Sequence, residues 1–397
     1  MVTKRNSLVI VTVVTRNYSH YAQVLMKACS QFHPDADLVV CYVDRPREEL
    51  LEKESKTQII YGDQLGIPNW SRFSFQYTPF ELACALKPFV TSHLIDLGFD
   101  QVVYLDGDMI LYGPFDEVLS ALEHDSIVLT PHLLTPLPED GKRPHESAFL
   151  VSGTYNAGFY AVKNDRSTKD FLQWWQNMCS RHSIVDLAAS LFVDQKWLGL
   201  VPGLFAGVRI LRHPGYNAGH WSLSQFQFQE TPSSPVSTSG VSIDGKPLVL
   251  FHFSGMTPNK PSEYLTSQTR TSLASIPSLD RLVTQYHSDL ATAGMSTYSS
   301  WGCQFDCLND GTPIHPAWRE AIRQSHKSFV EVENPFDVRT QPRLLGKYQA
   351  IQPGAYKWRR DWRLKWPAEQ GVAGTVRKTN NSLKSFLKVF RGFRRSA

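Results

Sequence analysis

The chain has 397 residues, 42% of them hydrophobic and 20% charged, with a formal net charge of +4. That composition excludes a chain disordered throughout, and the length leaves room for one large domain plus an extension. No run reaches the ~18 apolar residues of a membrane span, and six scattered cysteines, Cys29, Cys41, Cys84, Cys179, Cys303 and Cys307, are too few for a secreted disulfide scaffold, so a cytoplasmic setting is expected.

The first apolar run, 8–14, follows Lys4 and Arg5, a start that imitates a signal peptide. It is short, and it leads into Thr15, Arg16, Asn17 and Tyr18 with no small-residue cleavage site, so it reads as a first strand. A polar turn with an aromatic after a first strand suits a nucleobase, which needs stacking and hydrogen bonds. Runs at 38–43, 58–61, 101–105 and 127–130 repeat the strand pattern and alternate with helix-like stretches, which predicts an α/β layer architecture. Among these stretches, Thr78-Pro79-Phe80-Glu81 has the form of a capped helix start, and Pro88 is expected to interrupt that helix just after Lys87.

The segment Y-L-D-G-D-M-I-L at 104–111 is the most informative. Asp106 and Asp108 stand where an apolar run ends, and Gly107 permits a tight exit, so both carboxylates should emerge together at the carboxyl end of a sheet. Oxygen donors of this kind suit Mg²⁺ or Mn²⁺, with positions left for water and substrate phosphates. Alone, such a pair favours a metal only slightly over an ordinary solvated turn. Residues 131–144, rich in proline, histidine and charge, read as a surface loop or as a mobile cover over the site. Asn156-Ala157-Gly158 reads as a turn before a strand at 159–162, Asp194-Gln195 as a helix surface pair, and 231–240 as a Ser/Thr/Pro loop or linker, with no internal repeat evident. At 248–253 a further apolar strand carries His252 and opens into a Gly/Pro loop. There His252 could add a third metal ligand, Gly255 would let backbone approach a diphosphate, and Lys260 would neutralise it.

Together these residues resemble glycosyltransferase family 8, whose members use nucleotide sugars and retain anomeric configuration. The resemblance spans about two thirds of the chain, from Leu8 to Pro261. Its parts are V-T-x-x-x-x-N-Y at 11–18, Y-L-D-G-D-M-I-L at 104–111, Y-N-A-G-F-Y-A-V at 155–162, Asp194-Gln195 and the H-F-S-G…K-P element at 252–261. Thr257, Pro258 and Asn259 lengthen the usual spacing between Gly255 and Lys260, a departure that leaves the lysine's contact open. The resemblance implies a GT-A, Rossmann-like fold in which Asp106, Asp108 and His252 bind Mn²⁺ or Mg²⁺. Val13, Thr15, Asn17 and Tyr18 would line a uridine pocket, Asp106 would also touch the ribose, and Lys87 would face the donor. Asn156 and Gly158 would approach the donor sugar, Gly255 and Lys260 its diphosphate, and Asp194 with Gln195 its anomeric carbon. The function it implies is metal-dependent transfer of a hexose from a UDP-sugar to a glycan or glycolipid.

The expected division is a catalytic domain over 1–262, a helical extension over 263–338 and a basic tail over 339–397. Trp301, His315 and Trp318 in the extension could belong to an acceptor site, although core packing accounts for them as well. In the tail, fifteen Lys and Arg face two acids, Asp361 and Glu369, a balance of +13 that leaves −9 for the rest of the chain. Trp358, Trp362 and Trp366, then Leu383, Phe386, Leu387 and Phe390, recur at helical spacing among those charges, which suits an anionic membrane surface on the cytoplasmic face. Packing of these apolar faces on the catalytic domain explains them equally, and binding to nucleic acid is the less favoured alternative. Three rival functions compete: a haloacid-dehalogenase-like phosphatase, which leaves His252 unexplained; a sugar nucleotidyltransferase, whose glycine-rich first turn is missing after Val14; and a non-catalytic glycan-binding or membrane-tethering module.

Overall fold

The computed structural model of the chain describes residues 7–44, 56–256, 260–266 and 268–351. Strands β1 (Leu8–Val14), β2 (Asp37–Tyr42), β3 (Thr57–Tyr61), β4 (Gln101–Leu105), β5 (Met109–Leu111), β6 (Ile127–Pro131) and β7 (Tyr155–Lys163) are interleaved with helices α1 (Ser19–Phe32), α2 (Trp70–Phe75), α3 (Pro79–Asp96), α4 (Asp116–His124) and α5 (Glu146–Ser152), and α6 (Arg166–Cys179) follows β7. A seven-stranded sheet runs in the order Val208–Ile210, β6, β7, β4, β1, β2, β3. Its pairings are parallel except those of β7, which lies antiparallel between β4 and β6. The fold is α/β, as the alternation of runs predicts.

β1 shows why this sheet forms. Its β-branched residues fit a pleated strand, and the period of two sends alternate side chains to opposite faces. Val9, Val11 and Val13 join Leu82, Leu86 and Val90 of α3, whereas Ile10 and Val14 join Ala22 and Leu25 of α1. Each such aliphatic contributes roughly 1.5–3 kcal/mol on full burial, so a parallel sheet is stable only with both faces covered.

α3 begins at the capping box expected of it: Thr78 Oγ1 accepts from Glu81 N (3.3 Å) and Glu81 Oε2 accepts from Thr78 N (3.0 Å). The expected break at Pro88 does not occur, and the helix continues to Asp96. Pro88 cannot donate to the carbonyl one turn back, but Leu82, Leu86, Val90 and Leu94 remain buried around it. Side chains pack closely here as well, with Thr91 Oγ1 and Tyr160 Oη donating to Lys87 O at 2.9 and 3.3 Å. Tertiary burial thus overrides the local cost of proline.

At residue 106 the chain leaves the large sheet and enters a small one, in which β5 pairs antiparallel with Leu250–His252, itself parallel to Ala218–Gly219. The helix Pro277–Thr292 covers this sheet, placing Leu279, Val283 and Tyr286 among Phe251 and Phe253. Two further helices, Pro316–Arg323 and Pro342–Gln349, gather Ile322, Leu344 and Tyr348 around Phe75. Here Trp318 stacks on Tyr348 at 4.9 Å, His315 caps its helix by accepting from Ala317 N at 3.1 Å, and Trp301 is buried against Tyr298. All three take part in packing, with His315 and Trp318 half-buried.

The loop 131–144 is tied down by Arg270, whose guanidinium donates to Pro144 O and Pro138 O, both at 2.8 Å. The 231–240 loop is fastened just past the end of β5, where Thr238 N donates to Tyr112 O at 2.7 Å. All six cysteines are free thiols, and no helix among the described residues is long and apolar enough to cross a membrane. Residues up to Ile351 cluster as one unit, and the tail pattern from Lys357 onward lies outside the described residues.

Candidate active site and metal centre

The D-x-D sits at the switch between the two sheets. Asp106 N donates to Gly158 O at 2.7 Å and Met109 N donates back to Asp106 O at 3.2 Å, closing the turn. Two residues beyond Tyr104, Asp106 shares that residue's face of the sheet, the one covered by α3. Asp108 belongs to the other side of the turn, where register sets its partner. His252 pairs with Met109, and Phe253 N donates to Asp108 O at 2.8 Å, so the imidazole arrives beside the carboxylate with Nε2 2.9 Å from Asp108 Oδ1.

Asp106, Asp108 and His252 each offer a ligand atom, and these atoms lie within 4.8 Å of one another. Two carboxylates and one imidazole converging in this way fit a divalent cation such as Mn²⁺ or Mg²⁺. Two glycines make the approach possible. A Cβ on Gly107 would meet Val14 Cγ1 at 2.8 Å, and one on Gly158 would meet His252 Cε1 at 2.4 Å. Gly107 therefore serves close approach and not, as its place in a tight exit suggests, a left-handed backbone; its φ is not positive. Burial works against the His252 imidazolium, but the Asp108 charge and hydrogen bond outweigh it and hold the imidazole above its ordinary range. The same pair holds the Asp108 carboxyl below its ordinary range, against a burial that pushes it up.

Lys87, buried on α3, links the D-x-D to Asp194. Its Nζ lies 2.9 Å from Asp106 Oδ1 and 3.5 Å from Asp194 Oδ2, donates to Ala157 O at 3.2 Å, and stands 5.0 Å from the centre of the Tyr104 ring. Burial alone would strip its charge, yet Asp106 and then Asp194 keep the ammonium form well favoured. Tyr104 Oη donates to Asp106 Oδ1 at 2.7 Å, so that carboxylate is held by a lysine and a phenol. Asp194 is 1% exposed and is not the helix surface residue its composition suggests. It precedes a 3-10 helix, Gln195–Leu200, and Trp175 Nε1 anchors its carbonyl at 3.2 Å. Its carboxyl is pushed up to about 6, by burial first, with Lys87 pulling the other way. Gln195 is engaged at both ends of its amide, Oε1 accepting from Ala157 N at 3.1 Å and Nε2 donating to Ser152 O at 3.0 Å.

Asn156, Ala157 and Gly158 lie inside β7, not in a turn before it. The strand begins early because β6 pairs with it as far as Pro131 and Tyr155, across an irregularity near Leu129. At the head of β1, Val13 is buried, Thr15 Oγ1 donates to Asn17 Oδ1 at 2.6 Å, and Tyr18 stacks on Tyr21 with ring centres 4.9 Å apart. Tyr18 remains 45% exposed, leaving much of the side chain accessible to a ligand. Gly255 adopts φ +79°, and Lys260 stands exposed with Nζ 2.8 Å from Glu263 Oε1. No bond joins Lys260 to the D-x-D among the described residues, and Thr257, Pro258 and Asn259 lie outside them.

Three residues of the site were not legible from motifs. Asn217 and His132 join Asn156 behind His252, and Trp221 sets its ring at right angles to the imidazole, 5.2 Å away. One signal was present: Y-N-A-G occurs at 155–158 and again at 216–219, a short repeat in which both asparagines reach the same network.

Residues 35–201 match the family model described as nucleotide-diphospho-sugar transferase. The chain is 25% identical over 248 residues to the uncharacterized protein YfnF of Bacillus subtilis (strain 168), covering 62% of this chain and 80% of that protein. It is 22% identical to YfnD of the same organism, over 62% and 77%. Among solved structures, galactosyltransferase LgtC in complex with donor and acceptor sugar analogs is similar at 16% identity and TM-score 0.39, over 70% of this chain and 95% of that one. The apo-form glycosyltransferase GlyE of Streptococcus pneumoniae TIGR4 is similar at 14% identity and TM-score 0.41, over 77% and 67%. The family match runs from just before β2 to well past α6 and includes Lys87, both aspartates of the turn, Asn156 and Asp194, and it indicates that the chain is an enzyme, a nucleotide-sugar glycosyltransferase.

Proposed function

We propose that the chain is a retaining glycosyltransferase of the family 8 type, moving a hexose from a UDP-sugar to a glycan or glycolipid acceptor in the presence of Mn²⁺ or Mg²⁺. One observation carries this: the donor atoms of Asp106, Asp108 and His252 converge, and Lys87 ties Asp106 to a buried Asp194. Departure of a nucleotide diphosphate builds negative charge on one side of the breaking bond and oxocarbenium character on the other. A cation held by the three ligands supplies Lewis-acid stabilisation of the first.

The remaining work falls to the chain's own groups. Val13, Thr15, Asn17 and Tyr18 receive the uridine, and Asp106 also meets the ribose. Asn156 and Gly158 border the donor sugar, while Gly255 and Lys260 close on the diphosphate. Asp194 offers a carboxylate to the developing positive charge, and Lys87 holds it and Asp106 in place. Gln195 is a poor nucleophile whose amide is already occupied at both ends, so we favour attack by the acceptor on the face the diphosphate leaves, over a covalent intermediate. We take residues 1–262 as the catalytic domain, 263–338 as its extension and 339–397 as a tail that brings the enzyme to an anionic membrane surface, where a lipid-linked acceptor would be met.

The test is a thermal-shift and turnover screen of the full chain with UDP-, GDP- and TDP-sugars, with and without Mn²⁺. Stabilisation and UDP release are expected with a UDP-sugar plus Mn²⁺, lost in chelator and in Asp108→Asn, whose melting curve without ligand still shows a folded protein. Wild-type rates in that variant, or in chelator, would overturn the assignment.

A further inference from the structure

Behind the proposed metal ligand His252 lies a buried network whose hydrogen bonds run in one direction. Asn217 is 3% exposed, and its Nδ2 donates to Thr130 Oγ1 at 2.7 Å and to Asn156 Oδ1 at 3.1 Å. Those two acceptors use both amide protons, so the remaining Asn217 atom, Oδ1, can only accept. It lies 3.2 Å from His252 Nδ1. Asn156 is fixed in turn, because its Oδ1 also accepts from Gly158 N at 2.9 Å and its Nδ2 faces His132 Nε2 at 3.0 Å. The backbone adds a second constraint: Asn217 has φ +52°, in the left-handed region that asparagine and glycine tolerate and most residues avoid.

We infer that Asn217 is a positioning residue for the metal centre: it holds the proton of His252 on Nδ1 and thereby directs the bare Nε2 at the cation. This rests on the cation site proposed above. A ligating histidine whose other nitrogen is held by a hydrogen-bond acceptor keeps one tautomer and one ring orientation, and loss of that acceptor costs roughly 10–100-fold in metal affinity. Asn217 touches neither the cation nor the donor sugar in this assignment and acts only through His252.

Three forms of the full chain separate the outcomes by calorimetric titration with Mn²⁺. Asn217→Gly keeps the left-handed backbone and removes the acceptor, and is expected to bind Mn²⁺ roughly 10–100-fold more weakly. Asn217→Asp keeps an acceptor and is expected to bind at least as tightly as wild type. If wild type binds Mn²⁺ and Asn217→Gly, folded by its melting curve, binds equally well, the inference is overturned while the cation site stands. If wild type binds no Mn²⁺, the cation site itself falls, and this inference with it. A readout without any variant guards against a misfolded glycine form: nitrogen-15 NMR of histidine-labelled wild type with Mg²⁺ should show His252 protonated on Nδ1, and an unprotonated Nδ1 would overturn the inference.

Discussion

Asp194 is the residue whose chemistry depends most on its surroundings. Burial pushes its carboxyl up to about 6, so the anion that could oppose oxocarbenium charge exists above that pH and is lost below it. Turnover of a UDP-sugar is therefore expected to fall along a one-proton limb as pH drops through about 6, measured as kcat/KM, and Asp194→Asn should remove both the limb and most of the activity. A profile flat across that range would exclude the assigned role. The linkage to stability has the opposite sense: a carboxyl with a raised folded pKa favours the folded state when protonated, so its contribution is full below the unfolded value of 3.8 and is lost as pH rises through about 6. Residues of this kind were only half visible in the sequence. The D-x-D could be read because its carboxylates are neighbours on one turn. Asp194 looked like a surface residue because its burial is set by α3 and Trp175, neither near it in the chain.

Elements were legible where local chemistry decides them and misread where tertiary packing does. The start of α3 was visible in Thr78, Pro79 and Glu81, and its cap should be measurable: Thr78→Ala is expected to lower unfolding free energy by about 1 kcal/mol in urea titration, with no loss if the cap is idle. The continuation through Pro88 was not visible, because the burial that outweighs proline comes from β1 and α6. The Asn156 to Gly158 segment was misplaced for a related reason. Its composition is that of a turn, yet β4 and β6 flank it and draw it into β7. The union of β5 with Leu250–His252 could not be read either, since no local signal pairs strands so far apart. His252 entered the ligand set as a lone imidazole on an apolar strand, a reading the resemblance reinforced, and register supplies the physical reason it arrives.

At the scale of the molecule, arginines fasten the carboxyl-terminal region to the catalytic layer by donating to backbone carbonyls. Arg72 Nη1 reaches Phe329 O at 2.7 Å and Val332 O at 2.6 Å, and Arg319 reaches the carbonyls of Phe75, Tyr77 and Phe305. None of these contacts involves the basic tail. On the proposed membrane role, a chain lacking residues 352–397 is expected to lose co-sedimentation with anionic phosphatidylserine vesicles; unchanged vesicle binding would exclude the tail as a membrane contact. One of these ties reaches the nucleotide end directly. Asp44 accepts from Arg16 N with Oδ1 at 2.8 Å and from Gln304 N with Oδ2 at 3.0 Å, while Arg16 Nε donates to Gly302 O at 2.5 Å. Arg16 lies between Thr15 and Asn17, so the loop proposed to grip uridine is braced by residues almost three hundred positions later. By thermodynamic reciprocity, whatever ordering a bound nucleotide imposes on that loop is returned as slower amide exchange in the distant brace, and loosening the brace must weaken the grip by an equal free energy.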